Sequence, residues 1–307
     1  MNNLNLEEDW IREVKKFLEE HKFKNFDSLS NTMLAMRVNN YFRKGGMNFK
    51  WNIKLPKDFY EKINVNEDEK NSINDILKAL AEGKGVYEYL SVDSKNLKRL
   101  DFLFNRWEIT HLHLNKINEV KRKERSKKLL FIYFDYNNSI ARVIGIYEHN
   151  RWFDKDVLKD FINLYPEIIS VKNIGKKVIE ILTPNLYSSK EELIFLKLIF
   201  EDGSSEIIIG SDIVSTGDSG WDSKVVNQFF VDLHTISEEL YKALKIDISN
   251  DENLELCDVK FNLKVNEDLK MNFSLIDIKN GNLLIDFGND FDVIILRYFK
   301  EIESYKK

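Results

Sequence analysis

The sequence predicts an α+β protein with three successive parts. Helices come first, then a small antiparallel sheet, then a β-rich C-terminal region with one long helix. Three observations carry this. Up to about residue 82 apolar residues recur at spacings of three and four, as in Trp10, Ile11, Val14, Phe17 and Leu18, the period of a helix with one buried face. Between residues 107 and 147 the pattern changes to short β-branched and aromatic runs, which have the length and composition of strands. Beyond residue 175 strand-length runs dominate, interrupted by one amphipathic stretch from Lys224 to Leu244.

Residues 7–22 form the first expected helix. A second covers 27–43, with Asp27 or Ser28 as N-cap, Gly45-Gly46 past its end, and Leu34, Met36, Val38 and Tyr41 on its buried side. Residues 47–55 are extended up to Pro56. A third helix over 67–82 buries Ile73, Ile76, Leu77 and Leu80 and stops at Gly83, the residue type that ends helices in a left-handed conformation. Residues 107–114 read as a strand, because Trp107-Glu-Ile-Thr-His-Leu-His-Leu114 alternates and contains β-branched residues. Runs 129–134 and 141–147 flank the turn-rich Asp135-Tyr-Asn-Asn-Ser139 and predict a hairpin, apolar enough to be covered on both faces. A helix over 154–164 ends before Pro166. Strands follow at 178–182, 194–200 and 206–209, the last two joined by Asp202-Gly203. The 224–244 helix has Asp222 or Ser223 as its expected cap. Strands 259–265, 271–278, 283–287 and 293–299 complete a meander, with Asn280-Gly281 as one turn.

Composition narrows the function classes. Of 307 residues 43% are hydrophobic and 12% aromatic, enough for real cores, so global disorder is excluded. Cys257 is the single cysteine, which excludes an intramolecular disulfide and zinc sites built on several thiolates. The polar, acidic N-terminus does not read as a signal peptide, and no apolar run approaches the roughly 20 residues of a membrane helix. A cytoplasmic protein without membrane contact is expected. Charge is divided unevenly. Residues 1–174 hold 31 Lys/Arg against 26 Asp/Glu, a net of +5, and residues 175–307 hold 15 against 25, a net of −10. The shift places an expected boundary near 170–176. It separates a basic part, 1–174, expected to be catalytic, from an acidic regulatory or partner-binding part, 175–307.

The chemistry-bearing residues gather in the middle. On a strand, His111 and His113 point to one face and Leu112 and Leu114 to the other. Neutral imidazole ligates metals or moves protons near pH 7. A basic stretch follows, with Lys116, Lys121, Arg122, Lys123, Arg125, Lys127 and Lys128 against only two acidic residues, Glu119 and Glu124. Such a loop can hold a phosphate backbone by counterion release, or be a solvated loop. His149 follows the next strand and precedes Arg151. Three histidines with a carboxylate (Glu108, Asp135, Glu148 or Asp154) suit zinc or manganese. The same histidines with Arg106 and Arg151 suit metal-independent RNA cleavage by a base, an acid and phosphate-binding cations. A third reading makes them packing residues. His21 is expected at the surface end of the first helix and His234 in packing. The loop 210–222 lacks the EF-hand order of ligands. Lys84 lies outside any P-loop pattern, and no nucleophile elbow or kinase signature occurs.

From Gly83 to Glu167 the chain resembles an uncharacterised family of bacterial proteins. The resemblance runs through Tyr89-Leu-Ser91, Asp101, the Trp-x-Ile-x-His-Leu-His-Leu segment at 107–114, Leu129-Leu-Phe131, His149, Trp152, Asp154 and Pro166-Glu167. The chain departs from that pattern where Gly and His are expected, at Glu108 and Thr110. The order strand, basic loop, strand, turn, strand, histidine is also similar to the small sheet of RelE/ParE-type toxins, a likeness of fold alone. Arg106 to His111 matches the R-x4-H spacing of HEPN ribonucleases, in which both residues lie on a helix. The family implies no function of its own; the chemistry of these residues, with the fold-level likeness to toxins beside it, leads to the expectation of a toxin-like or phage-defence ribonuclease, with His111, His113, His149 and Arg106 as catalytic residues. Lys121, Arg122, Lys123, Arg125, Lys127, Lys128 and Arg151 would contact RNA, with no cofactor and no metal, and the acidic part would bind a protein partner. The alternatives are a non-catalytic interaction protein of a defence or mobile-element system, and a metal-dependent hydrolase using His111, His113 and His149.

Overall fold

The computed structural model describes residues 5–116, 126–149, 155–169, 175–182, 195–209, 218–248, 259–265, 271–277 and 283–286. Its elements are α1 (Leu6–Glu20), α2 (Asn31–Lys44), β1 (Asn52–Lys54), α3 (Phe59–Lys62), α4 (Glu67–Glu82), α5 (Phe102–Trp107), β2 (Ile109–His113), β3 (Lys128–Asp135) and β4 (Ile140–Glu148). They continue with α6 (Lys155–Leu164), β5 (Val178–Leu182), β6 (Phe195–Phe200), β7 (Ser205–Ile209), α7 (Gly220–Ile248), β8 (Val259–Val265), β9 (Met271–Asp277) and β10 (Leu283–Asp286). The chain is α+β, with helices leading and sheets following. Among the described residues no helix is long and apolar enough to cross a membrane.

Two compact units emerge: residues 1–39, 95–98 and 222–307 form one, and 40–94 with 99–221 the other. They are drawn differently from the linear division at 174/175, because β5, β6 and β7 share a core with the preceding sheet. In the first unit, Asn5 caps α1 by accepting from the Glu8 N–H at 3.2 Å. Helix α1 buries Leu6, Trp10, Ile11, Val14 and Leu18. Trp10 meets Phe229 and Phe230 of α7 edge-on, at 5.2 and 6.0 Å between ring centroids. Two expected caps are corrected. Ser30, not Asp27 or Ser28, accepts from the Met33 N–H at the start of α2, at 3.3 Å. Asp222 lies inside α7, fully buried, and accepts from the Asn39 amide at 2.6 Å. Strands β8, β9 and β10 form an antiparallel sheet in the order β10-β9-β8. The expected strand 293–299 and the Asn280-Gly281 turn lie outside the described residues.

The second unit contains a four-stranded sheet in the order β1-β4-β3-β2. Strands β2, β3 and β4 are antiparallel neighbours, and β1 joins β4 in parallel. Strand β3 is buried on both faces, as its unbroken apolar run requires. Leu129 and Phe131 join Ile109, Ile144, the α6 residues Val157 and Phe161, and Leu198 of β6 in one core. Leu130, Ile132 and Phe134 face the other way and are fully buried, with Phe134 against Trp51 at 4.9 Å. Gly203, with φ +79, closes the β6–β7 hairpin where Asp202-Gly203 predicted it.

The strand expected over 107–114 is shorter than its sequence pattern. Residues 102–107 are helical because Asp101 caps them, accepting from the Phe104 N–H at 3.1 Å, and because Leu103, Phe104 and Trp107 are buried. Glu108 then reverses the chain with φ +55. That is the left-handed region favoured by glycine. The Glu108 carboxylate pairs with the buried Arg43 guanidinium at 2.6 Å, which holds the turn.

Candidate functional site

A cavity of about 730 Å³ lies beside β2, the edge strand of the four-stranded sheet. Its wall is made by Lys44 at the end of α2, residues 90–94 and 99–101, β2 itself, and the neighbouring ends of β3 and β4. Register brings the histidines there. His111 pairs with Phe131 and His113 with Leu129 across the β2–β3 ladder, and Leu129 pairs onward with Tyr147. With a side-chain period of two, His111 and His113 share a face. His149, two residues beyond Tyr147, donates its backbone N–H to the Lys127 carbonyl. Its ring stands 5.3 Å from that of His113, centroid to centroid. All three histidines line the cavity.

They differ in environment. His113 is buried, His111 half-buried and His149 exposed. Burial holds the His111 pKa below its ordinary value, since desolvation penalises the cation. The Asp101 carboxylate opposes this, and Lys44 and His149 add to it by charge repulsion. Asp101 does two jobs: one oxygen caps α5, and the other lies 3.8 Å from Nδ1 of His111. At that distance the contact is electrostatic rather than a hydrogen bond. His111 is therefore a neutral imidazole at pH 7, suited to accept a proton.

The other expected residues divide. Arg106 is buried on α5 and is absent from the cavity wall, because the helical turn at 102–107 carries it off the strand. Lys127 lines the cavity. Lys128 is turned to Glu69, at 3.3 Å, and Lys116 to Glu88, at 3.6 Å. Lys121, Arg122, Lys123, Arg125 and Arg151 lie outside the described residues. His21 sits at the end of α1 with Nδ1 2.9 Å from the Phe17 carbonyl. His234, expected in packing, is instead 77% exposed and pairs with Glu238 at 3.4 Å. Its neighbour Leu233 takes the buried face of α7.

Sequence reasoning missed Lys44 and Arg99, and singled out Thr110 only as a departure from the resembled pattern; all three also line the cavity. Lys44 reads as an ordinary basic residue ending a helix, and only the tertiary fold turns it inward. Among the described residues no three His, Cys, Asp or Glu side chains form a group able to hold a metal ion. Compared with protein-family models, curated proteins and solved structures, the chain finds no match.

Proposed function

We propose that the chain is a ribonuclease that cleaves RNA by metal-independent acid/base chemistry in the histidine cavity, in a toxin-like or phage-defence role. One observation carries this reading: His111 and His113 of β2 and His149, just past the end of β4, line a single cavity together with Lys127. His111, neutral through burial, takes the proton of the ribose 2′-OH. The 2′-oxygen attacks phosphorus and the P–O5′ bond breaks. His149, the exposed member, delivers a proton to the leaving 5′-oxygen, with His113 beside it. The products are a 2′,3′-cyclic phosphate and a 5′-hydroxyl. Lys127 steadies the charge that develops on the phosphorane. The acidic 175–307 part serves as the partner-binding surface.

The test incubates the purified protein with total RNA, with and without EDTA, beside a His111→Ala/His113→Ala double variant whose fold is checked by circular dichroism. EDTA-resistant cleavage that falls about 10²-fold or more in the variant supports the reading. EDTA-sensitive cleavage replaces it with a metal hydrolase. No cleavage by folded wild type leaves an interaction protein.

A further inference from the structure

We propose that Glu69 of α4 is a positioning residue for the histidine cavity: its carboxylate fastens the sheet corner that presents Lys127 and His149. The inference rests on the ribonuclease reading for what those two residues do, but not for the fastening itself.

The carboxylate is oriented by its own helix. Asn66 caps α4 by accepting from the Glu69 N–H at 2.8 Å, and Oε2 of Glu69 returns the bond, accepting from the Asn66 N–H at 3.1 Å. This reciprocal pair is a capping box. The same carboxylate also reaches the sheet. Oε1 accepts from the Ser126 hydroxyl at 2.7 Å, and Oε2 takes the Lys128 ammonium group at 3.3 Å. The Glu69 side chain is only 12% exposed, so solvent screens this pairing less than a surface one. One side chain thus ties the first turn of a helix to the start of β3.

Ser126 and Lys128 flank Lys127, which lines the cavity. Holding both neighbours holds the peptide between them. Further bonds brace the same corner. The Ser126 N–H donates to the Asn115 side chain, just past β2, at 2.6 Å, and the Lys128 N–H donates to the Ser126 hydroxyl oxygen at 3.1 Å. The Lys127 carbonyl accepts from the His149 N–H, next to the rung that pairs Lys128 with Glu148. His149 has left β4 at that point, and this bond keeps it beside the sheet, with its ring next to that of His113. Glu69 itself is absent from the cavity wall. It acts through the residues it holds, whereas His111 and His113 are placed by the β2–β3 ladder. Loss of the carboxylate therefore loosens Lys127 and His149 and leaves His111 where it is. A catalytic group misplaced by about 1 Å can lose about 10²-fold in rate.

The test follows the histidine ring resonances of the full chain by NMR, with the His113–His149 ring contact read as a nuclear Overhauser effect, and RNA cleavage on the same samples. Glu69→Ala should shift the His149 resonances, weaken the His113–His149 contact and leave the His111 resonances in place. It should lower kcat about tenfold or more, with KM within about twofold of wild type. Ser126→Ala, which cuts one of the links, should act in the same direction with a smaller loss. Asn66→Ala removes the helix cap but neither link, so His149 and the cleavage rate should match wild type. The proposal is overturned if His149 is unmoved in Glu69→Ala, if Asn66→Ala moves it as far as Glu69→Ala does, or if Glu69→Ala cleaves at the wild-type rate although His149 has moved. Should Glu69→Ala fail to fold, Ser126→Ala decides alone. A displaced His149 in the variant, beside a wild type that cleaves no RNA, keeps the fastening and removes the ribonuclease. Cleavage by wild type and variant alike, with His149 unmoved, removes the positioning role and keeps the ribonuclease.

Discussion

Strands β2 and β3 lie side by side in one sheet, yet they are built differently. From Leu129 to Phe134, β3 is apolar throughout, with only Tyr133 short of full burial. Strand β2 is also buried along most of its length, but Thr110, His111 and His113 make up three of its five residues. The contrast is sharpest at one rung, where His111 and Phe131 are direct partners. An interior strand covered on both faces has no room for polar groups that lack partners. An edge strand bordering a cavity can carry polar side chains, because one side of it meets solvent-accessible space rather than apolar packing. Buried polarity that the fold accepts along β2 and excludes from the middle of β3 is what a ligand site requires.

The largest expected effect tests that rung. Phe131→Ala should lose about 3–5 kcal/mol of stability in urea denaturation, the range for emptying a fully buried aromatic site. His111→Gln, its partner, should lose about 1 kcal/mol or less, and on the proposed ribonuclease reading should abolish RNA cleavage. Equal destabilisation by both would erase the distinction between the strands.

A smaller effect concerns the turn that feeds β2. Glu108→Gly relieves a left-handed non-glycine residue, worth about 1 kcal/mol. It also takes from the buried Arg43 its carboxylate at 2.6 Å, which costs about 3 kcal/mol. Net destabilisation of about 2 kcal/mol is expected in thermal denaturation. A stabilised variant would mean that the backbone effect dominates and the ion pair contributes little.

The smallest effect separates the two roles of Asp101. Asp101→Asn keeps a good helix cap, whereas Asp101→Ala loses it at about 1 kcal/mol. Both remove the charge that raises the His111 pKa, so that pKa should fall further in each by NMR titration. The sign for stability follows from linkage. A histidine whose folded pKa is depressed contributes stability that is present above its unfolded value of about 6.5 and lost as pH falls through the folded value. Wild type should therefore lose more stability between pH 8 and pH 5 than His111→Gln, and Asp101→Asn more than wild type. A flat comparison would sink the electrostatic account of His111.

Much of this architecture is legible in the sequence. Helices α1, α4 and α6 and the β3–β4 hairpin follow from apolar period and turn chemistry, and Gly83, with φ +82, ends α4 as its position implies. The His111–His113 pair is visible as an alternating motif. Other features are not legible there. The parallel pairing of β1 with β4 joins residues almost ninety apart, by register Asn52 with Ile140, and no local pattern encodes it. The alternation at 107–114 gives no sign of the six-residue helix that carries Arg106 and ends at Trp107. Lys44 carries no signal at all, and Thr110 is marked only as a departure from the resembled pattern.

The division has a physical cause. The sequence by itself determined the α+β class, most element positions and the two histidines on one strand face, because these depend on contacts between residues a few positions apart. Only the tertiary structure decided that His149 approaches His113, that Lys44 turns into a cavity and that Thr110 is buried there without an acceptor. Those facts depend on which distant segments pack together, and burial and electrostatic environment belong to that packing rather than to any single stretch of chain.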